Sequence, residues 1–247
     1  MQKSSKTFVI GDVHGNHRAL LQCLEKSGFD KENDTLISLG DIADGWSEVS
    51  ECVDELLSIK NLICIRGNHD VWCHDWFVYG RTPLIWTAQG GVATMESYVR
   101  TGKLVDGFHK DFWKDQIDYY IDDQNRLFIH GGWDYLEGFP RGAMLPVNAG
   151  SIAKECHWDR SLLMSAKAAF GKNNNKPNAK FNALEEFTEI YIGHTAENDG
   201  PNQYGNLWNL DTGAGWNGKL TIMDVDTKEF WQSDFAPLLY PDEKGRG

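Results

Sequence analysis

Five short polar clusters of this chain combine glycine with aspartate, asparagine or histidine, and each follows or ends an apolar run. They read GDVHG (11–15), GDIADG (40–45), GNHD (67–70), IHGG (129–132) and IGHT (192–195). Glycine lets the backbone turn sharply and approach a ligand closely. A single cluster of this kind is an ordinary turn, but five in order indicate that their polar side chains share a site.

The polar side chains of these clusters offer oxygen and nitrogen donors, and none is a thiolate. Such ligands suit a pair of first-row divalent metals such as manganese, iron or zinc. One carboxylate can bridge two ions about 3.5–4 Å apart, a spacing used for in-line displacement at phosphorus. We therefore predict a two-metal site. Its candidate ligands are two aspartates, one asparagine and three histidines of these clusters.

The elements that must position these residues alternate between strand and helix. Apolar, β-rich runs predict strands over Thr7–Ile10, Thr35–Leu39 and Leu62–Ile65. Between them, apolar residues recur at helical spacing over residues 20–24 and 49–57. This alternation predicts an α/β fold with a parallel sheet, whose ligand site lies beyond the carboxyl ends of the strands.

Length, charge and cysteine content limit the class of protein. The chain has 247 residues, 41% of them hydrophobic, which suits one domain over residues 1–247 with its own core. A formal net charge of −12 opposes a nucleic-acid surface, which needs clustered lysine and arginine. Five cysteines without a close CxxC pair fit neither a disulfide framework nor a thiolate zinc site. No apolar run is long enough for a signal peptide or a membrane span, so we expect a cytoplasmic protein without a membrane partner.

The ordered set of clusters resembles the calcineurin-like metallophosphoesterases, and within them the bacterial and phage-type phosphoprotein phosphatases. The likeness extends from Thr7 to about Ser233, and LDTGAGWNGKLTIMDVDT (210–227) is similar to the closing strands of that family. The resemblance implies an α/β/β/α sandwich with two mixed β-sheets and a two-metal site at the carboxyl ends of the strands. Residues 71–118 are predicted to form a mostly helical insertion near that site.

The same resemblance implies a role for each metal ligand. Asp41 would bridge two divalent ions, with manganese expected and iron or zinc as alternatives. A water that bridges the ions would attack phosphorus directly, without a covalent enzyme intermediate. The first ion would be held by Asp12 and His14, and the second by Asn68, His130 and His194.

The resemblance also implies that His69 is the general acid that protonates the leaving oxygen, with Asp44 as its carboxylate partner. Such a pair orients the imidazole and stabilises its protonated form, as acid catalysis near neutral pH requires. Asp70 stands where many family members have glutamate. We interpret Asp70 as a residue that supports the site and not as a metal ligand.

Phosphate binding matches the family pattern at one position and departs from it at another. HWDRSLL (157–163) resembles the segment that carries a phosphate-binding arginine, so Arg160 is the candidate. Where the family usually reads Gly-Asp-x-x-Asp-Arg-Gly, this chain reads GDIADGW, with Gly45 in place of a second arginine. We therefore expect weak discrimination between phosphate monoesters and diesters, unless Arg81 or Arg141 replaces the missing guanidinium.

Three functions remain open on the sequence. The first is a metal-dependent phosphomonoesterase that acts on phosphoserine or phosphothreonine in proteins. The second is a hydrolase of small phosphate esters, diesters or anhydrides, such as dinucleoside tetraphosphates, because those enzymes share the same motifs. The third is a non-catalytic binding module, which the complete set of ligands and the candidate acid argue against.

Overall fold

A computed structural model describes residues 5–134, 139, 156–171 and 185–246 of the chain. Within these ranges the strands form two sheets of five. The strands are β1 (Thr7–Ile10), β2 (Thr35–Ser38), β3 (Asn61–Cys64), β4 (Tyr119–Ile121), β5 (Arg126–Ile129), β6 (Glu189–Ile192), β7 (Asn202–Tyr204), β8 (Leu207–Asn209), β9 (Thr221–Asp224) and β10 (Phe230–Gln232). The first sheet has the order β10-β9-β1-β2-β3, and the second has the order β4-β5-β6-β8-β7.

Both sheets are mixed. In the first, β1, β2 and β3 are parallel, while β9 and β10 extend the other edge of β1 in antiparallel orientation. In the second, β5, β6 and β8 are parallel, and β4 and β7 are antiparallel edge strands. The parallel strands place several carboxyl ends side by side at each sheet, where a ligand site is expected.

Helices cover the outer faces of the two sheets. They are α1 (His17–Ser27), α2 (Val49–Leu57), α3 (Asn68–Tyr79), α4 (Leu84–Trp86), α5 (Val92–Thr101), α6 (Gly107–Asp115), α7 (Ser161–Phe170) and α8 (Ala236–Leu239). Two further helical turns are a π-helical turn over Thr87–Gly91 and a 3-10 turn over Lys103–Val105. The segment between β3 and β4 is therefore mostly helical. Within the described ranges we find no helix whose length and hydropathy would let it span a bilayer.

Alternate residues of each strand face different layers of the core. Phe8 of β1 belongs to a buried cluster with Leu20 of α1 and Val53 of α2. Val9 faces the other way and joins a cluster between the two sheets, in which the rings of Phe128 and Tyr191 stack 4.9 Å apart. On the far side, α7 packs its leucines against β5 and β6. The layers are thus α/β/β/α, and the predicted fold is confirmed.

Candidate active site and metal centre

The polar clusters that follow β1, β2, β3, β5 and β6 meet in one place, and they bring all six predicted metal ligands together. Potential donor atoms form two buried groups, and within each group they lie within 4.8 Å of one another. Asp41 belongs to both groups, and Asn68 Oδ1 lies 3.2 Å from His130 Nε2. The first group is Asp12, His14 and Asp41, and the second is Asp41, His130 and His194.

Backbone conformation turns several of these side chains toward the common point. The φ angle is 50° at His14, 50° at Asp41, 72° at Asp44 and 68° at His194. This left-handed region is uncommon for residues with a side chain and costs on the order of 1–3 kcal/mol per residue. Such strain persists where surrounding structure enforces it, and four instances at one site are typical of a functional centre.

At two positions of the polar clusters only glycine fits, because a carboxylate from another cluster lies against the backbone there. A Cβ atom at Gly67 would lie 2.1 Å from Asp41 Oδ1, and one at Gly193 would lie 2.1 Å from Asp12 Oδ1. Both contacts are far shorter than a van der Waals distance. The glycine in each cluster therefore makes room for a carboxylate that arrives from a different strand.

In two histidines, Nδ1 is engaged in a hydrogen bond to the backbone, so that Nε2 is the nitrogen that can bind a metal. His14 Nδ1 donates to the carbonyl oxygen of Ala43 at 3.0 Å, and His130 Nδ1 donates to that of Leu39 at 2.7 Å. Nε2 of each ring then faces Asp41 Oδ2, at 3.5 Å from His14 and 3.4 Å from His130. Metal-binding histidines commonly donate their other N–H to a carbonyl in this way. The donor set therefore fits divalent cations.

The charges of the site also favour a bound cation. Burial and the nearby Asp211 carboxylate raise the pKa of Asp12 well above its ordinary value. Burial opposes the charged form of His130, but the Asp41 carboxylate outweighs it and raises the pKa of His130 to about 10. Burial likewise opposes the charge on Asp41, yet His130 and His69 hold the pKa of Asp41 well below its ordinary value. A divalent cation can replace the proton on His130 as the positive charge beside Asp41.

The proposed acid His69 is fully buried, and its ring forms a hydrogen bond with the Asp44 carboxylate. His69 Nδ1 donates to Asp44 Oδ2 at 2.5 Å, and Asp44 also accepts from Trp86 Nε1 at 2.9 Å and from Thr94 Oγ1 at 2.7 Å. His69 Nε2 has no hydrogen-bond partner within the described ranges, and the residue lines the adjacent pocket. Asp44 therefore fixes the ring so that its second nitrogen is available to a ligand.

Asp70 holds two of the site loops together. Its Oδ1 accepts from the backbone N–H groups of Ile42 and Ala43, at 2.9 and 3.0 Å. Its Oδ2 accepts from Gly67 N at 3.0 Å and from Gln116 Nε2 at 3.2 Å. The carboxylate thus connects the loop after β2 with the start of α3. This arrangement matches the supporting role proposed for Asp70 from the sequence.

We expect Asp70→Asn to destabilise the fold, because an amide keeps only one acceptor oxygen and turns its NH₂ group toward a buried N–H donor. Each unsatisfied buried group costs about 1–3 kcal/mol, which lowers the melting temperature by roughly 2–10 °C in a domain of this size. Thermal unfolding followed by circular dichroism would measure the change. Asp75→Asn, on the same helix but partly exposed, serves as the control. Equal melting temperatures for Asp70→Asn and the control would contradict this role.

A pocket of about 320 Å³ lies in front of the candidate ligands. Arg160, the candidate phosphate-binding residue, directly precedes α7 and lines this pocket. Trp72 and Trp158 line it as well, with their rings edge to face at 6.3 Å, and the Trp72 ring also lies edge to face with His69 at 5.1 Å. The pocket therefore combines a positively charged arginine side chain, an aromatic surface and the candidate acid.

Of the two arginines suggested as replacements at Gly45, Arg81 lies within the described residues and does not line this pocket. Arg81 is exposed, lies 3.5 Å from Asp75 and stacks on Tyr79. Arg141 lies outside the described residues. Instead, the pocket is lined by Arg246, which the sequence analysis did not consider. No local motif marks Arg246, since it follows EKG in a polar stretch; only its position in space identifies it.

Comparisons with known proteins bear on the family and the fold of this chain. Two curated relatives are named symmetrical bis(5'-nucleosyl)-tetraphosphatase: one from Pasteurella multocida is 24% identical over 96% of this chain and 99% of its own length, and one from Coxiella burnetii is 26% identical over 90% and 89%. A protein serine/threonine phosphatase from Saccharomyces cerevisiae has a similar fold, with a TM-score of 0.63, 17% identity and coverage of 99% of this chain and 84% of that one. A model of the calcineurin-like phosphoesterase family matches residues 5–195. The chain therefore belongs to the calcineurin-like phosphoesterase family.

Proposed function

We propose that this metallophosphoesterase hydrolyses dinucleoside tetraphosphates symmetrically, giving two nucleoside diphosphates. The observation that carries the proposal is the similarity to symmetrical tetraphosphatases over nearly the whole of both chains. The sequence alone favoured phosphoproteins as substrates and held tetraphosphates as the alternative. The curated relatives support that alternative, whereas the likeness to a serine/threonine phosphatase concerns the fold.

The pocket suits a nucleotide with a chain of phosphates. Aromatic side chains bind nucleobases by stacking, and Trp72 and Trp158 offer such surface beside the candidate ligands. Arg160 lines the same pocket and can grip non-bridging phosphate oxygens with two parallel hydrogen bonds. A nucleotide whose base stacks on one of these tryptophans would therefore have its phosphates near Asp41 and Asn68.

Different residues of the chain then have different roles in the proposed reaction. We propose that the six ligands hold two divalent cations, with manganese as the expected metal, and that these supply Lewis acidity and lower the pKa of a coordinated water. His69 Nε2 would donate its proton to the oxygen that leaves when the central anhydride bond breaks. Asp44 would hold that ring in place through Nδ1. Water adds to one phosphorus, so both products end as diphosphates.

A hydrolysis screen tests the substrate class. We expect the manganese-loaded protein to show a kcat/KM for diadenosine tetraphosphate that exceeds those for a phosphoserine peptide and an aryl phosphodiester by about tenfold or more. ADP should be the sole nucleotide product, with ¹⁸O from labelled water in one of the two ADP molecules. ATP together with AMP would contradict symmetrical cleavage. Faster turnover of the phosphopeptide would instead support the phosphoprotein phosphatase hypothesis.

A further inference from the structure

The side chain of Arg246 reaches the candidate metal centre from a segment far away in the sequence. Arg246 Nη1 lies 3.1 Å from His14 Nε2, although the two residues are 232 positions apart. Its Cζ lies 4.8 Å from the centre of the Trp216 ring. Its buried Nε has no hydrogen-bond partner within the described ranges. This guanidinium therefore lines the pocket with one side-chain hydrogen-bond partner in the described part of the chain, His14, and with its Nε unpaired.

Two glycines leave the space through which this side chain runs. A Cβ atom at Gly45 would lie 3.2 Å from Arg246 Cγ, and one at Gly215 would lie 3.1 Å from Arg246 Cδ. Gly45 also has a φ of +91°, a conformation that side-chain-bearing residues rarely adopt. Position 45 therefore disfavours an arginine, and Arg246 occupies the space beside it.

Specific contacts fix the segment that carries Arg246. The backbone N–H of Arg246 donates to Gly215 O at 2.9 Å, and Glu243 accepts from Ser47 N and Ser47 Oγ at 3.1 and 2.7 Å. Upstream, the Tyr240 ring stacks on Trp46 at 5.0 Å. The 240–246 segment is thus docked on the loop that carries Asp44 and Gly45, and the position of Arg246 is built into the fold.

Electrostatics indicates what this guanidinium is for. Once His14 Nε2 coordinates a cation, its lone pair can no longer accept a hydrogen bond from Arg246. A guanidinium next to divalent cations is repelled unless an anion lies between them. Phosphate supplies that anion, and the planar fork of arginine matches its oxygens. Arg160 lines the same pocket, so a phosphate there can be held by two arginines.

We propose that Arg246 is the second phosphate-binding arginine of this enzyme and replaces, from a different part of the chain, the guanidinium absent at Gly45. The inference rests on the proposed function only in that the substrate is a phosphate compound. It assigns a substrate-binding role to the side chain of Arg246, and the proposed acid and metal ligands keep theirs.

Arg246→Ala tests this role with inorganic phosphate as the ligand. In the manganese-loaded protein, we expect phosphate affinity, measured by calorimetry, to fall about tenfold or more, since a hydrogen bond to a charged group is lost. Arg246→Lys should recover part of the affinity, because it keeps the charge without the fork. Lys244→Ala, which removes one positive charge from an exposed position of the same segment, should leave it unchanged. Metal content and melting temperature are measured for every variant.

Unchanged phosphate affinity in a folded, metal-loaded Arg246→Ala protein would overturn the proposal. If metal binding became tighter at the same time, Arg246 would instead be a residue that competes with the cation at His14. Because inorganic phosphate is the ligand here, the result does not depend on tetraphosphate hydrolysis. The wild-type protein could fail to hydrolyse diadenosine tetraphosphate while Arg246→Ala still loses phosphate affinity. That result would contradict the proposed substrate and support the inference about Arg246.

Discussion

Replacement of Asp41 by asparagine is expected to empty the metal centre and to reduce hydrolysis more than any other ligand substitution. Asp41 belongs to both ligand groups, and its Oδ2 lies 3.5 Å from His14 Nε2 and 3.4 Å from His130 Nε2. Removing one partner of a buried charge cluster costs about 3–5 kcal/mol, and a loss of that size in metal binding corresponds to roughly 10²–10⁴-fold in affinity. Asparagine tolerates the φ of 50° at this position, so the backbone should keep its course.

Elemental analysis and hydrolysis rates measure this effect. We expect the wild-type protein to hold close to two divalent ions per chain, and chelation should abolish activity until manganese is restored. Asp41→Asn should hold less than one ion, whereas Asp111→Asn, an exposed aspartate of α6, should match the wild type. Full activity with one ion or none would contradict the two-metal hypothesis.

Replacement of His69 by asparagine should slow the hydrolysis of alkyl phosphates while metal content stays nearly intact. General acid catalysis typically contributes about 10²–10⁴-fold, and we expect a loss of that size. The backbone N–H of His69 donates to Asp41 Oδ1 at 2.9 Å, and this contact survives the substitution. Nitrophenolate leaves without protonation, so nitrophenyl phosphate should mask much of the defect. Asp44→Asn should act in the same direction but more mildly.

The control for this prediction is His74→Asn, because His74 lies on the same helix and pairs with Asp75 outside the pocket. It should retain wild-type rates on both substrates. If His69→Asn lost its metal ions, the division between Asn68 as ligand and His69 as acid would be wrong. An equal defect on alkyl and nitrophenyl phosphates would also contradict a role in leaving-group protonation.

The absence of arginine at position 45 bears on substrate preference. The sequence predicted weak discrimination between monoesters and diesters unless another guanidinium lies close by. Arg246 lies in that place, so we now expect Arg246→Ala, and not the native chain, to show the weak discrimination. Its monoester-to-diester ratio of kcat/KM is the quantity to compare.

Much of the fold and of the metal centre could be predicted from the sequence because the relevant signals are local. Each strand that positions a candidate ligand is a short apolar run with a glycine within three residues of its end, and β1, β2 and β3 lie within one residue of their predicted bounds. Since parallel strands end at the same edge of a sheet, their terminal polar residues must converge. The side chains of Asp12, Asp41 and Asn68 meet for that reason.

Other contacts of the site were determined only by the tertiary structure. They join elements that no local sequence pattern links. Trp86 and Thr94 hold Asp44 across 42 and 50 residues, and Arg246 reaches His14 across 232. A tryptophan in a helical segment is predicted to pack in the core, and Trp86 does so while donating its N–H to Asp44. An arginine in a polar stretch carries no periodic signal at all. Such contacts depend on how helices and loops pack over the sheets, which is the summed result of many side chains and not of any one motif.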